Sequence, residues 1–159
     1  MTPKLRDNTN DDHIWLNIVD RNHNEYRLPK RMDGYVVIDV GAHIGAFSYA
    51  CIERGAQKVY AFEPNLSSFS LLTENLSRYV ESNRAYIERA AVWRSDEPMI
   101  DILYLSRMTE IDERINSGSP SVIKGEPAER VPAISLDSIL DWIQSRDNPK
   151  KVLLKLDCE

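Results

Sequence analysis

The chain has 159 residues, with 20 basic and 25 acidic side chains, a formal charge of −5, and 42% apolar and 28% charged residues. That length fits one domain with its own core, and mild acidity without a basic stripe argues against nucleic acid as the main partner. Two cysteines make no disulfide framework, the opening MTPKLRDNTNDD lacks the apolar centre of a leader, and no apolar run approaches the roughly 20 residues of a membrane helix, so a soluble cytoplasmic domain is expected.

In chain order, Ile14, Trp15, Ile18 and Val19 recur at helical spacing and predict a short helix over 13–22. Glu25 to Leu28 alternates and then meets Pro29, which predicts a short extended segment. These residues form an N-terminal segment, 1–34. From Tyr35 the pattern becomes regular. Tyr35–Val40 is a nearly continuous β-branched run, as in a strand covered on both faces. A glycine turn, Gly41–Gly45, leads into a helix that stops at Gly55. Val59–Phe62 is a second strand, and Leu66, Phe69, Leu72, Leu76 and Val80 mark one face of a helix over 66–80.

Ala85–Trp93 predicts a third strand, and Met99–Leu105 an added hairpin arm. Residues 106–130, rich in charge and turn residues, read as a loop insertion. Val131–Ile134 reads as an edge strand limited by Pro132. Ser135 caps a helix carrying Leu136, Ile139, Leu140 and Ile143, and Lys151–Leu156 is a further buried-strand candidate. The order β-α-β-α-β, insertion, α-β predicts an α/β fold with a doubly wound, mostly parallel sheet over 35–159.

In such a sheet ligands bind beyond the carboxyl ends of the strands. The first strand ends in Asp39-Val40-Gly41-Ala42-His43-Ile44-Gly45. This is neither the dinucleotide fingerprint, since His43 and Ala46 stand where glycines belong, nor a P-loop. A glycine turn preceded by Asp39 suits a ligand with a cationic group, although a tight strand–helix turn with no ligand has the same residues. Glu63, at the end of the second strand, can accept both hydroxyls of a ribose or stand as a solvated strand-end charge. Asn65 beside it either contacts the ligand or caps the next helix. His13, His23 and His43 lack metal-ligand spacing, so no metal site is expected.

Taken together, Val37-Ile38-Asp39-Val40-Gly41-Ala42-His43-Ile44-Gly45, Ala61-Phe62-Glu63-Pro64-Asn65, Ala90-Ala91-Val92, Ser135-Leu136-Asp137 and Leu154-Lys155-Leu156-Asp157-Cys158-Glu159 resemble the FkbM-type S-adenosylmethionine-dependent methyltransferases. Asn24-Glu25-Tyr26-Arg27-Leu28-Pro29 resembles a stretch preceding the first motif in many members. The chain departs from the commonest pattern at His43, often Asn, and at Cys158, often a β-branched apolar residue. The resemblance implies a Rossmann-like fold and S-adenosylmethionine as cofactor. Asp39 and the turn Gly41, Ala42 and Gly45 would hold its methionine part, Glu63 its ribose hydroxyls, Asn65 would lie close to the adenosine, and the backbone at Ala91 would border the adenine. Asp157 would lie near the transferring methyl.

The implied reaction is in-line methyl transfer to a hydroxyl of a small molecule or glycan. A hydroxyl acceptor loses a proton, for which the candidate bases are His43, Asp157 and Glu159. Complete members of the family continue with further helices and strands, so the resemblance implies that the domain is incomplete, its C-terminal strands missing. A second expectation is therefore a non-catalytic or incomplete nucleoside-binding fragment that needs a partner, with a homo-oligomer left open. A nicotinamide-dependent dehydrogenase is disfavoured by the missing second glycine.

Overall fold

Tyr35–Val40 places β-branched and apolar side chains on both sides of the backbone, and all but Tyr35 are buried. A strand of that kind must be central. In the computed structural model, which describes residues 2–23, 25–94, 97–104, 120–121 and 126–157, it is β1, with β2 (Lys58–Phe62) parallel on one side and β8 (Lys151–Leu156) parallel on the other. β3 (Ala85–Glu88) adds to β2, also parallel, giving the order β3-β2-β1-β8.

Helices cover both faces. On one, α1 (Asp11–Val19), α2 (Ala46–Glu53) and α3 (Leu66–Glu81) bury Trp15, Ile52, Leu72 and Leu76 against Val37, Val59 and Ala61. On the other, α4 (Leu136–Asp147) lays Ile139 and Ile143 over Val36, Ile38, Tyr60 and Phe62. The result is a doubly wound α/β sheet, Rossmann-like in its strand order. The chain leaves β1 for β2 and β3 on one side and returns to β8 on the other. The crevice at the carboxyl ends of β1 and β8 is therefore the topological switch point, where such sheets bind ligands.

Several elements depart from the sequence reading. The third strand is two strands. β3 stops at Glu88, and β4 (Ala91–Trp93) joins a second sheet, in parallel register with β7. The break falls at Arg89 and Ala90, where Arg89 Nε turns back to donate to the Pro64 carbonyl at 3.2 Å. β7 spans Glu126–Ser135, so the end of the expected 106–130 loop is strand; positions 105–119 and 122–125 lie outside the described residues.

β7 is not an edge strand, because it pairs with β4 and also, antiparallel, with β5 (Met99–Tyr104). Pro132 is tolerated because the pairing with β4 begins one residue later, at Ala133, whose N–H donates to the Pro98 carbonyl at 2.9 Å. The hairpin arm is thus present as β5 and β7, with β6 (Pro120–Ser121) beside β5. The segment 25–28 is turn and coil rather than extended, and Arg27 has φ of 51°.

β8 is a strand, as expected, but not a buried one. Among the described residues it is the sheet's outer strand, and α4 covers β1 and β2 instead. Val152, Leu154 and Leu156 are consequently 44%, 37% and 59% exposed. No helix is long and apolar enough to cross a membrane among the described residues.

Candidate functional site

The site grows out of the end of β1. The turn closes when the Gly41 and Ala42 N–H groups both donate to the Phe62 carbonyl at 3.0 Å, fastening it to the end of β2. Gly41 (φ 73°), His43 (φ 53°) and Gly45 (φ 89°) all take positive φ, which reverses the chain into α2. Gly45 has a second reason to lack a side chain: a Cβ there would stand 2.8 Å from Leu72 Cδ1 of α3. Gly45 therefore lets the turn pack closely on α3.

Asp39 is fully buried. Its Oδ2 accepts from Ser48 Oγ of α2 at 2.6 Å, and its Oδ1 lies 3.0 Å from Lys155 Nζ of β8. The same ammonium donates to the Gly41 carbonyl at 2.8 Å, approaches the Val40 carbonyl at 3.5 Å, and stands 3.7 Å from Asp157 Oδ2. Sequence reasoning missed Lys155. The signal was available: a lysine inside a strand read as buried needs a carboxylate partner. Asp39 is therefore half of a buried ion pair, and its charge is already balanced.

Glu63 is also buried, and its carboxylate is held from both sides. Oε2 accepts the His43 N–H and Oε1 the Asn65 N–H, each at 2.8 Å. Burial pushes its pKa above the ordinary carboxylate value, against the two backbone donors and Lys155, which pull it down. Asn65 is the N-cap of α3, its Oδ1 accepting from the Ser68 N–H at 2.9 Å. The capping alternative is thus occupied by its side chain.

Asp157 follows β8. Its N–H donates to the Val40 carbonyl at 3.2 Å, and its carboxylate accepts from the Tyr26 hydroxyl. Tyr26 packs edge-on against Phe47, with ring centroids 5.0 Å apart, and the Lys155 ammonium lies over both rings. Burial and the Asp157 carboxylate push the Tyr26 phenol well above its ordinary pKa, so it stays a proton donor.

The structure thus brings together Asp39, the Gly41–Gly45 turn, Glu63, Asn65 and Asp157 at one crevice, and adds Lys155, Ser48 and Tyr26. Ala91 is buried in β4 of the second sheet, in register with Ala133 of β7. The His43 ring meets the N-terminal segment: its Nε2 lies 2.8 Å from Arg6 Nη2. Glu159 lies outside the described residues, as does Cys158. Among the described residues, no group of three His, Cys, Asp or Glu side chains could hold a metal ion.

Compared with known proteins, the chain matches the family model described as the methyltransferase FkbM domain over residues 39–159. A methyltransferase FkbM from Methylobacillus flagellatus shows 18% identity and a TM-score of 0.49, covering 86% of this chain and 28% of that one. A protein from Pyrococcus horikoshii, proposed to be an RNA methyltransferase, shows 22% identity and a TM-score of 0.33, covering 48% and 34%. PRMT6 shows 20% identity and a TM-score of 0.38, covering 49% and 24%. This chain therefore spans about a third or less of the length of these solved chains. No curated protein sequence gives a significant match.

Proposed function

We propose that this chain, which belongs to the FkbM methyltransferase domain family, binds S-adenosylmethionine at the β1/β8 switch point and methylates a hydroxyl of a small molecule or glycan. The observation that carries the reading is the buried Glu63 carboxylate, held by the His43 and Asn65 N–H groups beside a glycine turn. A carboxylate has about four lone-pair sites. Two are used, and the remainder suit the paired hydroxyls of a ribose. The donor set fits the cofactor: Glu63 for the ribose, Asn65 and the start of α3 beside it, and Gly41 and Ala42 with Asp39 and Lys155 for the amino-acid part.

The cofactor supplies an electrophilic methyl on a sulfonium. The chain's own contribution is alignment, which is most of what an in-line transfer requires. Asp157 takes the acceptor's proton in this reading. Tyr26 fixes one of its oxygens, and the Lys155 ammonium stands 3.7 Å from the same carboxylate. The His43 Nε2 faces the Arg6 guanidinium at 2.8 Å, which engages that nitrogen within the protein.

One observation favours a second reading. Lys155 already engages Asp39 and the Gly41 carbonyl, which leaves the nucleoside half of the site as the more open half. The chain would then bind a nucleoside without turnover. Calorimetry with S-adenosylhomocysteine, S-adenosylmethionine, adenosine and NADH separates these. Tighter binding of the first two than of adenosine supports the methyltransferase reading. Adenosine alone supports the second, and no heat from any adenosine compound refutes both. Preference for NADH would restore the dehydrogenase.

A further inference from the structure

The residues before α1 form a strap that touches both the glycine turn and α3. Arg6 grips the fully buried Asp11 with Nε on Oδ2 and Nη2 on Oδ1, both at 2.9 Å, and its backbone N–H adds a third bond to Oδ2 at 3.0 Å. The same Nη2 lies 2.8 Å from His43 Nε2. Arginine has only donors, so His43 Nε2 is the acceptor and the imidazole proton is assigned to Nδ1. Arg6 Nη1 reaches Ser68 Oγ and Ser67 Oγ, at 3.3 and 3.4 Å, in the first turn of α3.

A second fastening runs through α3: the buried Asn75 side chain accepts from the Lys4 N–H at 2.7 Å and donates to the Lys4 carbonyl at 3.1 Å and to the Ile44 carbonyl at 2.9 Å. The strap is thereby pinned to consecutive turn residues, His43 and Ile44. His43 matters because it is a non-glycine residue at φ 53°, and its N–H is the donor on Glu63 Oε2. The contacts run in one line, from Asp11 to Arg6, to the His43 ring, to the His43 N–H, to the Glu63 carboxylate.

We propose that Arg6, Asp11 and His43 are positioning residues that aim Glu63, so that the N-terminal strap sets how strongly the site prefers a ribose to a 2′-deoxyribose. This rests on the reading of Glu63 as the ribose acceptor. A loosened His43 N–H lets the carboxylate turn, and the loss falls on the 2′-hydroxyl rather than on the base. A strap that merely supports the fold would weaken binding of both nucleosides alike.

The test is calorimetry of the full chain with adenosine and 2′-deoxyadenosine, in the wild type, Arg6→Met and Arg6→Lys. The wild type is expected to prefer adenosine by about tenfold or more, the worth of one charge-assisted hydrogen bond. Arg6→Met should reduce that preference to about two- to threefold. Arg6→Lys, which keeps the charge and loses the fork, should fall between. Should Arg6→Met fail to melt cooperatively, Arg6→Gln is read in its place. An unchanged ratio in a folded variant overturns the inference, even if both affinities drop. A wild type that binds adenosine with no ribose preference overturns the Glu63 reading instead, and the inference with it.

Discussion

Replacing Lys155 by Met tests the most consequential contact that the sequence did not announce. The methionine keeps most of the stem beside Phe47 and Tyr26 and deletes only the ammonium. Asp39, fully buried, then keeps Ser48 Oγ at 2.6 Å and loses its only nearby cation among the described residues. Removing one partner of a buried pair strands the other charge, at a cost of about 3–5 kcal/mol. For a chain of this size each kcal/mol moves Tm by roughly 2–4 °C, so the variant should melt about 6–20 °C below the wild type. Circular dichroism melts measure this directly. Two controls isolate the cause. Arg31→Ala breaks an ion pair of similar length to Asp33, but on exposed side chains, and should leave Tm unchanged. Lys155→Met combined with Asp39→Asn removes both charges and should recover much of the loss. A single variant that melts within about 2 °C of the wild type, or a double variant no better than the single, refutes the stranded-charge reasoning.

Two further predictions concern the turn and its acid. Gly45→Ala and Gly34→Ala both force an L side chain into positive φ, costing roughly 1–2 kcal/mol. Only Gly45 adds a Cβ 2.8 Å from Leu72, worth about 1–3 kcal/mol more, whereas nothing lies within 4 Å at Gly34. Gly45→Ala should therefore melt clearly below Gly34→Ala, and equal Tm values would show that Leu72 simply moves aside. For Glu63, the folded pKa is raised above the ordinary 4.5, chiefly by burial. Between those values the folded chain holds a proton that the unfolded chain has released, so stability falls as pH rises through the window. Over the same window the ribose-accepting carboxylate forms, so adenosine affinity rises. Asp20 and Asp33 are lowered from 3.8, so the stability they contribute is lost below this window rather than in it. Melts and adenosine titrations followed upward from pH 4.5 should run in opposite directions while Glu63 ionises, and parallel profiles would contradict the assignment.

What was legible in the sequence is what one element can say by itself. β1 announced itself because six consecutive positions suit burial on both faces, and α3 and α4 because their apolar residues recur at helical spacing behind the capping residues Asn65 and Ser135. The hairpin arm was visible as apolar runs, but β7 begins at Glu126 through pairing with β5 that no local pattern encodes. The split at Arg89 and Ala90 coincides with a side-chain bond back to Pro64, and the exposure of β8 goes with its place outside β1.

The same division runs through the site and changes its electrostatics. Asp39, Glu63 and Asp157 could be placed at strand ends one by one, and together they suggest an acid-lined crevice for a cationic ligand. Lys155 alters that sum. It stands directly opposite Asp39 on the neighbouring strand and pairs with it, and it also lies 3.7 Å from Asp157, so Glu63, held by two backbone N–H groups, is the acid of the three that it pairs with least directly. Arg6 is hidden for the same reason, since its contact with His43 joins residues far apart in sequence through a histidine that local pattern reads only as part of a turn. Residues that would contact a ligand sit at the ends of regular elements, where periodicity points to them. Those that fix charge and aim come from other segments, and only the assembled strand order brings them there.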